Sequence, residues 1–415
     1  MTPLVKIDLR FIIDVKNSVL NQIHQLFKHR LQDLLTAPIY IWDMITQNVE
    51  NSLPKKTLLK GMTKEELADF FISAGEKKFR GEQVFEWIYG KRVCSFEEMV
   101  NLPKSLRNFL TENCELVTLK NHSSESSKNT GTKKFLFSTN DNYIVESVII
   151  PEVKRTTLCI STQVGCPLDC KFCATGLMGY KRNLTAGEIF DQFLLSSLSW
   201  DGAPISNIVY MGMGEPLLNF KNTLKSLKIF SEEKTKDISL KKITVSTAGI
   251  APKIIELADS GLKVKLALSL HSMFEETRNQ IMPINLKYTL AENLEAAKYF
   301  AQKTKTRITF EYVMLKDIND SDKDIRALLK LSKTIPSKFN IIPFNTIAHM
   351  SPTGISRDLQ PTSKKRIEEF VDTLRSNNVT VIVRYTQGED IAAACGQLAY
   401  TKKFSTEHLT QTDVS

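Results

Sequence analysis

From about residue 155 onward, the chain alternates short apolar runs with longer segments in which apolar residues recur at steps of three and four. The short runs predict strands, and the spacing of three and four predicts amphipathic helices between them. Such an alternation indicates a parallel sheet with right-handed crossovers, either open or closed into a barrel. The predicted strands span 157–162, 205–211, 243–246, 264–270, 307–314, 340–344 and 379–383, and the predicted helices lie around 185–198, 224–230, 254–258, 290–300, 325–331 and 367–374.

A β-hairpin is predicted just before this region, with strands at 134–138 and 143–150. Because strand side chains alternate between faces, Glu146 is the only charge on an otherwise apolar face. Burial there would raise the pKa of Glu146 and suit it to proton transfer, whereas an edge-strand carboxylate would turn to water. The pattern leaves both interpretations open. The polar segment at 122–132 contains no large apolar residue and predicts a loop or hinge.

The N-terminal part divides into an extension and a small helical module. Apolar residues at helical spacing within 20–34 predict an amphipathic helix, which either docks on the protein or meets a membrane surface or a partner. Thr63 followed by Glu66 predicts a helix start with a capping box. Basic residues beside aromatic ones at 77–89 either contact RNA or surround the module's own core. We expect five regions: an extension of unknown role (1–56), a helical accessory domain (57–118), a linker and β-hairpin (119–154), a barrel with a C-terminal cysteine loop (155–400) and a tail (401–415).

Composition limits the class of protein. Hydrophobic residues make up 42% and charged residues 24% of the 415 residues, which is ordinary for a soluble folded protein. No apolar run approaches the roughly 18 to 20 residues of a membrane-spanning helix, and acidic residues near the N-terminus are unlike a secretory or organelle signal. Seven cysteines without a paired framework favour a reducing compartment, so we expect a cytoplasmic location. A formal charge of +9 modestly indicates a polyanionic partner.

Cys166, Cys170 and Cys173 form the most informative motif of the chain. Three thiolates are one too few for a closed tetrahedral metal site, so a metal centre bound here keeps an open position. No second cysteine pair follows, as it does in zinc ribbons, although zinc completed by a histidine or an aspartate also fits. The Cys-x3-Cys-x2-Cys spacing suits a [4Fe-4S] cluster with one free iron. It is typical of radical S-adenosylmethionine (SAM) enzymes, in which SAM binds that iron.

Polar groups follow several of the predicted strands. The run at 212–216 follows one strand, Ser246 ends another, His271 follows the next, and Asn345 comes after a fourth. In a parallel α/β barrel the C-terminal strand ends open onto one face, so these groups and the cysteine motif should meet there. Taken singly, such glycines often serve only a tight turn, and a lone histidine is more often a core residue. Because polar groups follow the predicted strands in several separate segments, the pattern as a whole indicates one active site.

Two further cysteines stand out by context. Cys159 lies on the strand before the cysteine motif, and Cys395 lies near the end of the chain between flanking glycines. Either could be a small buried apolar residue. A mobile thiol that reaches a radical site can instead carry a group covalently, and a second thiol can release that group by forming a disulfide. Cys94 and Cys114 have no such setting and are interpreted as structural.

These motifs resemble those of the RlmN-type radical SAM rRNA adenine methyltransferases, whose relatives include the Cfr resistance methylases. The similarity runs from about residue 59 to residue 400. It rests on FRGEQVFEWIY at 79–89, LCISTQVGC at 158–166, MGMGEPL at 211–217 and ACGQL at 394–398. The resemblance implies a partial (β/α) radical SAM barrel with an N-terminal helical accessory domain and a β-hairpin extension.

The resemblance also implies a role for each candidate residue. It implies that one SAM methylates Cys395, that a second SAM in the same turnover is cleaved to a 5′-deoxyadenosyl radical, and that Cys159 frees the product. Glu146 matches the family's proton acceptor. The implied ligands of the [4Fe-4S] cluster are Cys166, Cys170 and Cys173, and the implied SAM contacts are Gly214, Glu215, Ser246, Ser269, Leu270, His271 and Asn345.

The implied reaction is methylation of C2 of an adenosine in the peptidyl transferase centre of 23S rRNA, and of an adenosine next to the tRNA anticodon. C2 of adenine is not nucleophilic, so a radical route is needed. The implied partners are these RNAs and a reductant such as flavodoxin or ferredoxin, with the enzyme acting as a monomer away from membranes. Two rival interpretations remain, namely methylation of C8 of the same rRNA adenosine and a non-enzymatic, metal-containing RNA-binding protein.

The chain departs from the family pattern in three places. Tyr385 and Gln387 stand where many members carry basic residues, and Thr346 and Ile347 follow Asn345 where a proline is frequent. The N-terminal extension has no assigned counterpart. We therefore expect the RNA contacts of the C-terminal region and the loop after Asn345 to differ from the family pattern.

Overall fold

A computed structural model describes residues 56–235 and 238–400 of the chain. The amphipathic helix predicted at 20–34 and the tail at 401–415 lie outside the described residues. Within those two ranges, no helix is both long enough and apolar enough to cross a bilayer.

A helical module lies at the start of the described chain. β1 (Thr57–Leu58) pairs in parallel with β2 (Cys114–Glu115). Between them in sequence are α1 (Lys64–Ser73), α2 (Phe79–Phe85), a π-helical turn at Glu86–Gly90, and α3 (Lys104–Asn113). The predicted capping box begins α1: the N–H of Glu66 donates to Thr63 Oγ1, and the Glu66 carboxylate accepts the N–H of Thr63.

The aromatic side chains of this module form its own core. Phe85, Trp87 and Tyr89 are all buried, and the rings of Phe85 and Tyr89 lie 4.6 Å apart. The sequence predicts that the aromatic residues of this segment either contact RNA or form the core of the module. The packing of these three rings favours the core. Phe79, in contrast, is 44% exposed and lies beside the Arg80 guanidinium.

An antiparallel extension of three strands precedes the parallel sheet. It consists of β3 (Leu119–Ser126), β4 (Lys133–Thr139) and β5 (Ile144–Glu152), and the last two are the predicted hairpin. The prediction of a loop at 122–132 is wrong for residues 122–126, which belong to β3. β3 forms the edge of the sheet with mostly exposed side chains, and its main chain pairs with β4. No apolar alternation therefore marks it in the sequence.

The central sheet is a partial barrel, as predicted. β6 (Arg155–Cys159) pairs with the extension on one side, and a small antiparallel sheet of β7 (Gln163–Gly165) and β8 (Tyr180–Asn183) follows it in the chain. The parallel strands continue across the sheet, in this order, as β9 (Asn207–Tyr210), β10 (Ile243–Thr247), β11 (Lys265–Ser269), β12 (Ile308–Met314), β13 (Ser337–Pro343) and β14 (Val381–Val383). In the part of the chain described, β3 and β14 are the two edges, so the barrel stays open.

Helices connect the parallel strands and cover the core. Each helix predicted between the parallel strands is present, and the longer ones bury an apolar stripe, such as Ile254 and Leu257 on the helix between β10 and β11. The helices are α4 (Ala174–Leu177), α5 (Ala186–Leu198), α6 (Phe220–Ser231), α7 (Ala251–Asp259), α8 (Glu275–Ile281), α9 (Leu290–Thr304), α10 (Asp322–Ser332), α11 (Ile355–Asp358) and α12 (Lys364–Ser376).

A buried ion pair attaches the helical module to the barrel. Lys60 Nζ lies 2.8 Å from Asp191 Oδ1, and both side chains are at most 3% exposed. The other carboxylate oxygen of Asp191 accepts hydrogen bonds from the N–H and the hydroxyl of Thr118. Beside this pair the main chains of Gly61 and Gly187 pack closely, since a Cβ on Gly61 would lie 2.5 Å from the Gly187 nitrogen.

We expect Lys60→Met to lower the free energy of unfolding by about 3–5 kcal/mol, because it leaves the buried Asp191 charge without its cation. The double variant Lys60→Met/Asp191→Leu removes both charges and should recover most of this loss. Chemical denaturation followed by circular dichroism measures both variants. Equal destabilisation by the single and the double variant would contradict a coupled pair.

Candidate active site

The cysteine loop, residues 166–173, follows β7 and is shaped by its main chain. The N–H of Cys166 donates to the carbonyl of Gly179 at 2.9 Å, and the N–H of Cys173 donates to the carbonyl of Cys170 at 3.1 Å. Gly165 has a φ of +74°, and a Cβ there would lie 1.9 Å from the Gly179 carbonyl oxygen. Glycine is therefore required at the start of this loop.

The three thiols of this loop line a cavity of about 170 Å³, which we call the thiol cavity. Leu270 does not line it, because its side chain is fully buried in the core and its N–H donates to the carbonyl of Glu311. The other predicted SAM contacts do line it, so the strand ends converge: Gly214, Glu215, Ser246, Ser269, His271 and Asn345.

The thiol cavity suits a metal centre. Burial raises the pKa of Cys166 to about 12 and raises the pKa of Cys170 and Cys173 as well. Thiols in such surroundings need a cationic centre to stay deprotonated. Among the described residues, no three His, Cys, Asp or Glu side chains are placed to share one metal ion.

Glu215 is held in place in the loop that follows β9. Its Oε1 accepts the N–H of Leu217 at 2.9 Å, and its Oε2 accepts the N–H of Ala248 at 2.7 Å. Burial raises the pKa of Glu215 to about 7, and these main-chain donors oppose the rise. Gly214 has a φ of +95°, and a Cβ there would lie 2.5 Å from the Gln163 Cβ. The glycine lets the two segments pack closely beside the carboxyl group.

His271 is a neutral donor in the thiol cavity. Its Nδ1 accepts the N–H of Val313 at 3.0 Å, so the proton of the neutral ring is on Nε2. Burial, together with the nearby Arg278 guanidinium, lowers the pKa of His271 to about 3. The ring stands edge-on to Phe172 at 4.6 Å. His271 therefore offers a ligand an N–H group without a charge.

The C-terminal loop, residues 388–399, packs on the end of the cysteine loop at Phe172 and on α4, which follows it. The N–H of Ala174 donates to the carbonyl of Gly396 at 2.7 Å. Asn345 Nδ2 donates to the carbonyl of Cys395 at 3.1 Å. Asn345, predicted as a SAM contact, thus also fastens the C-terminal loop. These contacts bring Cys395 into the lining of the thiol cavity.

Cys395 also lines a second cavity of about 280 Å³ inside the barrel, which we call the barrel cavity. Cys159 on β6 and Arg384, directly after β14, line the same cavity. Burial raises the pKa of Cys159 to about 12; negative charge on Cys395 adds to the rise, and Arg384 opposes it. All seven cysteines of the chain are free thiols, so no disulfide joins Cys159 to Cys395 in this structure. Cys395 lies where the two cavities meet.

Glu146 is buried behind the C-terminal loop and lines neither cavity. Lys134 Nζ lies 3.8 Å from Glu146 Oε1 and donates to the carbonyl of Ile391 at 2.6 Å. Among the described residues, Glu146 Oε2 has no hydrogen-bond partner. Burial raises the pKa of Glu146 to about 7, and Lys134 opposes the rise. The alternative of a solvent-facing edge carboxylate is wrong, because β5 is an inner strand of the sheet.

Sequence reasoning missed three polar residues of this region. Glu311 lies in the middle of β12, whose residues are all buried, and it lines both cavities. Asn340 Nδ2 donates to Glu311 Oε1 at 2.8 Å, and Arg384 Nη1 lies 3.8 Å from Glu311 Oε2. A lone carboxylate within an apolar strand was the available signal for Glu311, by the same reasoning that singled out Glu146.

Comparison with known proteins shows the family. The model of the ribosomal RNA large subunit methyltransferase N-terminal domain matches residues 57–116, and the radical SAM superfamily model matches residues 160–329. The chain is 43% identical over 348 residues to the probable dual-specificity RNA methyltransferase RlmN of Flavobacterium psychrophilum, covering 83% of this chain and 98% of the relative. For the corresponding protein of Thermotoga neapolitana the identity is 44%, over 84% of this chain and 98% of the relative.

The chain belongs to the RlmN family of radical SAM methyltransferases. The crystal structure of a radical SAM methyltransferase from Sphaerobacter thermophilus agrees with this assignment, with a TM-score of 0.75 and 37% identity over 82% of this chain and 98% of that one. Membership of the RlmN family makes the chain an enzyme and implies a [4Fe-4S] cluster and SAM as its cofactors. It replaces the zinc-site and the non-enzymatic interpretations. Cys166, Cys170 and Cys173 remain the predicted cluster ligands.

We expect Cys170→Ala to abolish stable cluster binding, because two remaining thiolates cannot hold the three irons that the protein must bind. Iron and sulfide content after anaerobic reconstitution, together with visible absorption, measures the loss. Cys94→Ala is the matched control, since Cys94 is an exposed thiol in the helical module. Wild-type iron content in the Cys170 variant would contradict the ligand assignment.

Proposed function

We propose that this RlmN-family enzyme methylates C2 of an adenosine in the peptidyl transferase centre of 23S rRNA and, as a second substrate, C2 of an adenosine next to the tRNA anticodon. The observation that carries the proposal is the position of Cys395, which lines both the thiol cavity and the barrel cavity of Cys159. The bacterial relatives are named dual-specificity RNA methyltransferases, which supports two RNA substrates.

The thiol cavity would hold the cofactors. Cys166, Cys170 and Cys173 would bind the cluster, while Glu215 offers carboxyl oxygens and His271 an uncharged N–H to SAM. When bound, the cluster and SAM supply a methyl group from one SAM and a 5′-deoxyadenosyl radical from a second. The apolar packing around the cysteine loop, which includes Leu168, Ala174 and Ile281, keeps water from this centre. Exclusion of water protects reactive intermediates from side reactions.

In the proposed reaction, Cys395 carries the methyl group from one cavity to the other. Its sulfur would accept the methyl group as a thioether, and the radical from the second SAM would take one hydrogen atom from that group, leaving a carbon radical that can bond to C2 of adenine. The adduct would then give up the C2 proton and one electron, the latter to the bound cofactor centre. The Cys159 thiol would then lose its proton and its sulfur would bond to that of Cys395 in a disulfide. The carbon would keep the electron pair of the broken carbon–sulfur bond and take up a proton, which completes the methyl group on C2. A cellular reductant must then return both thiols before the next turnover.

Glu146 is the proposed acceptor for the proton that C2 loses. A buried carboxyl group with a pKa of about 7 is partly ionised at neutral pH, which suits a general base. Its Oε2 has no hydrogen-bond partner in the described chain and is free to accept a proton. Lys134 links Glu146 to the C-terminal loop, so the position of the base is coupled to the position of Cys395.

RNA would enter at the open side of the barrel. Tyr385 lines the barrel cavity and is 72% exposed, so it stands at the opening of that cavity. An exposed aromatic ring can stack on an unpaired base, in place of the basic residues that many family members carry there. The net charge of +9 favours RNA binding that weakens with salt. The proposed electron donor is a flavodoxin or a ferredoxin, and the enzyme acts as a monomer.

We expect Cys159→Ala to trap the RNA covalently on the protein, because Cys395 then holds the adduct without the second thiol that releases it. Denaturing electrophoresis of a reaction with labelled RNA detects the trapped species. The double variant Cys159→Ala/Cys395→Ala should form no adduct while keeping the iron content of the wild type. Absence of the adduct from the single variant, or a product methylated at C8 by nucleoside analysis, would contradict the proposed reaction.

Glu146 should make methyl transfer depend on pH. Its carboxylate accepts the proton, and the carboxylate fraction grows as the pH rises through about 7. Below that pH the single-turnover rate should fall by about tenfold per pH unit, and above it the rate should level off. Glu146→Gln should be slow on both sides of neutrality without this inflection. An unchanged inflection in the Gln variant would show that another group is the base.

A further inference from the structure

Two buried acceptor atoms, in residues that line the barrel cavity, have no hydrogen-bond partner among the described residues. They are Glu311 Oε2 and Asn340 Oδ1, in side chains of residues that are 4% and 9% exposed. Leaving a buried acceptor unpaired costs free energy, and native structures contain few such groups. Both residues line the cavity that also contains Cys159 and Cys395. The arrangement points to a ligand that brings its own hydrogen-bond donors.

The surrounding groups define the chemistry of that ligand. Asn340 Nδ2 donates to Glu311 Oε1 at 2.8 Å, whereas Glu311 Oε2 has no hydrogen-bond partner among the described residues. Arg384 Nη1 lies 3.8 Å from Oε2, beyond hydrogen-bond distance, and contacts Met211 Sδ at 3.5 Å. Burial raises the pKa of Glu311, and the Arg384 cation opposes the rise. The wall of the cavity thus offers a carboxylate oxygen and an amide oxygen as acceptors beside a guanidinium donor.

We propose that Glu311 and Asn340 recognise the exocyclic amino group of the target adenine inside the barrel cavity. This inference rests on the proposed function, because it takes the adenine as the occupant of the cavity between the two thiols. Adenine presents an N6 amino group with two donors, next to ring nitrogens that accept. Its amino group complements the two acceptors, and a ring nitrogen complements the Arg384 guanidinium. Asn340 lines the barrel cavity but not the thiol cavity, where SAM would bind. Its ligand is therefore adenine and not SAM.

The same contact would discriminate against guanine. Guanine carries a carbonyl oxygen where adenine carries the amino group, so it would face the Glu311 carboxylate oxygen with a second acceptor. A site built to bind a donor rejects an analogue that lacks it, because the buried acceptors are then left unpaired. Recognition of the amino group would therefore select the base as well as position it.

The test compares two RNA hairpins that differ only at the target position, with adenosine in one and purine riboside, which lacks the amino group, in the other. Fluorescence anisotropy measures their affinity for the cluster-loaded enzyme with SAM but without reductant, so that no turnover occurs. We expect the wild type to bind the adenosine hairpin about tenfold or more tightly, as for one hydrogen bond to a charged group. Changing the ligand on the wild-type protein keeps the test independent of how well a variant folds.

Protein variants complete the comparison. Glu311→Ala should bind the two hairpins with nearly equal affinity, and Asn340→Ala should reduce the preference in part. Thr309→Val is the matched control, because Thr309 lines the same cavity from the same strand, and this variant should keep the full preference. Circular dichroism confirms that each variant is folded before its affinities are compared.

Three results would overturn the inference. One is equal affinity of the wild type for both hairpins, and another is an undiminished preference in Glu311→Ala. The third is a Glu311→Ala variant that binds SAM more weakly but still prefers the adenosine hairpin, with SAM affinity measured by equilibrium dialysis. That result would mean that the two acceptors bind the hydroxyl groups of SAM and not the adenine. Failure of the proposed methylation would appear separately, as a missing adduct or a different nucleoside product, because the affinities are measured without turnover.

Discussion

The contact between the C-terminal loop and the cysteine loop is the interaction on which the active site depends. Thr175 Oγ1 donates to the carbonyl of Leu398 at 2.6 Å and joins positions 223 residues apart in the chain. With the bond from Ala174 to Gly396, it attaches the C-terminal loop, through main-chain carbonyls, to α4, which directly follows the cysteine loop. Because these bonds use the main chain of the C-terminal loop, the thiol of Cys395 stays available to both cavities. Loss of this contact would separate Cys395 from the cysteine loop without changing either loop's own sequence.

Strand register places the second thiol and the base. Lys134 on β4 pairs with Val148 on β5, and Val148 pairs with Cys159 on β6. Side chains directly opposite one another on neighbouring strands share a face of the sheet, and Glu146 lies two positions from Val148 on that face. The antiparallel extension therefore contributes functional groups as well as covering the edge of the parallel sheet. A shift of one residue in this register would turn Cys159 away from Glu146.

Burial keeps the titratable groups of the site close to their uncharged forms. It raises the pKa of the cysteine-loop thiols and of Glu215, and it lowers the pKa of His271. A bound cluster would add positive charge in such surroundings, and its binding must release the thiol protons. Assembly of the cluster is thus coupled to the charge state of the whole cavity. The Arg384 guanidinium supplies a further positive charge close to both Cys159 and Cys395.

Local sequence patterns determined most of the elements and the chemical class of the site. Helix periodicity, the capping box at Thr63 and the spacing of Cys166, Cys170 and Cys173 are each expressed within a few residues, so they can be interpreted without a fold. The tertiary structure alone showed that Glu146 is buried on an inner strand. It also revealed β3 and the group around Glu311. Those outcomes depend on which distant strands pack against a residue, and an edge strand held by its main chain carries no side-chain pattern. Burial and hydrogen-bond partners are properties of the assembled sheet, and for this reason no stretch of the chain specifies them by itself.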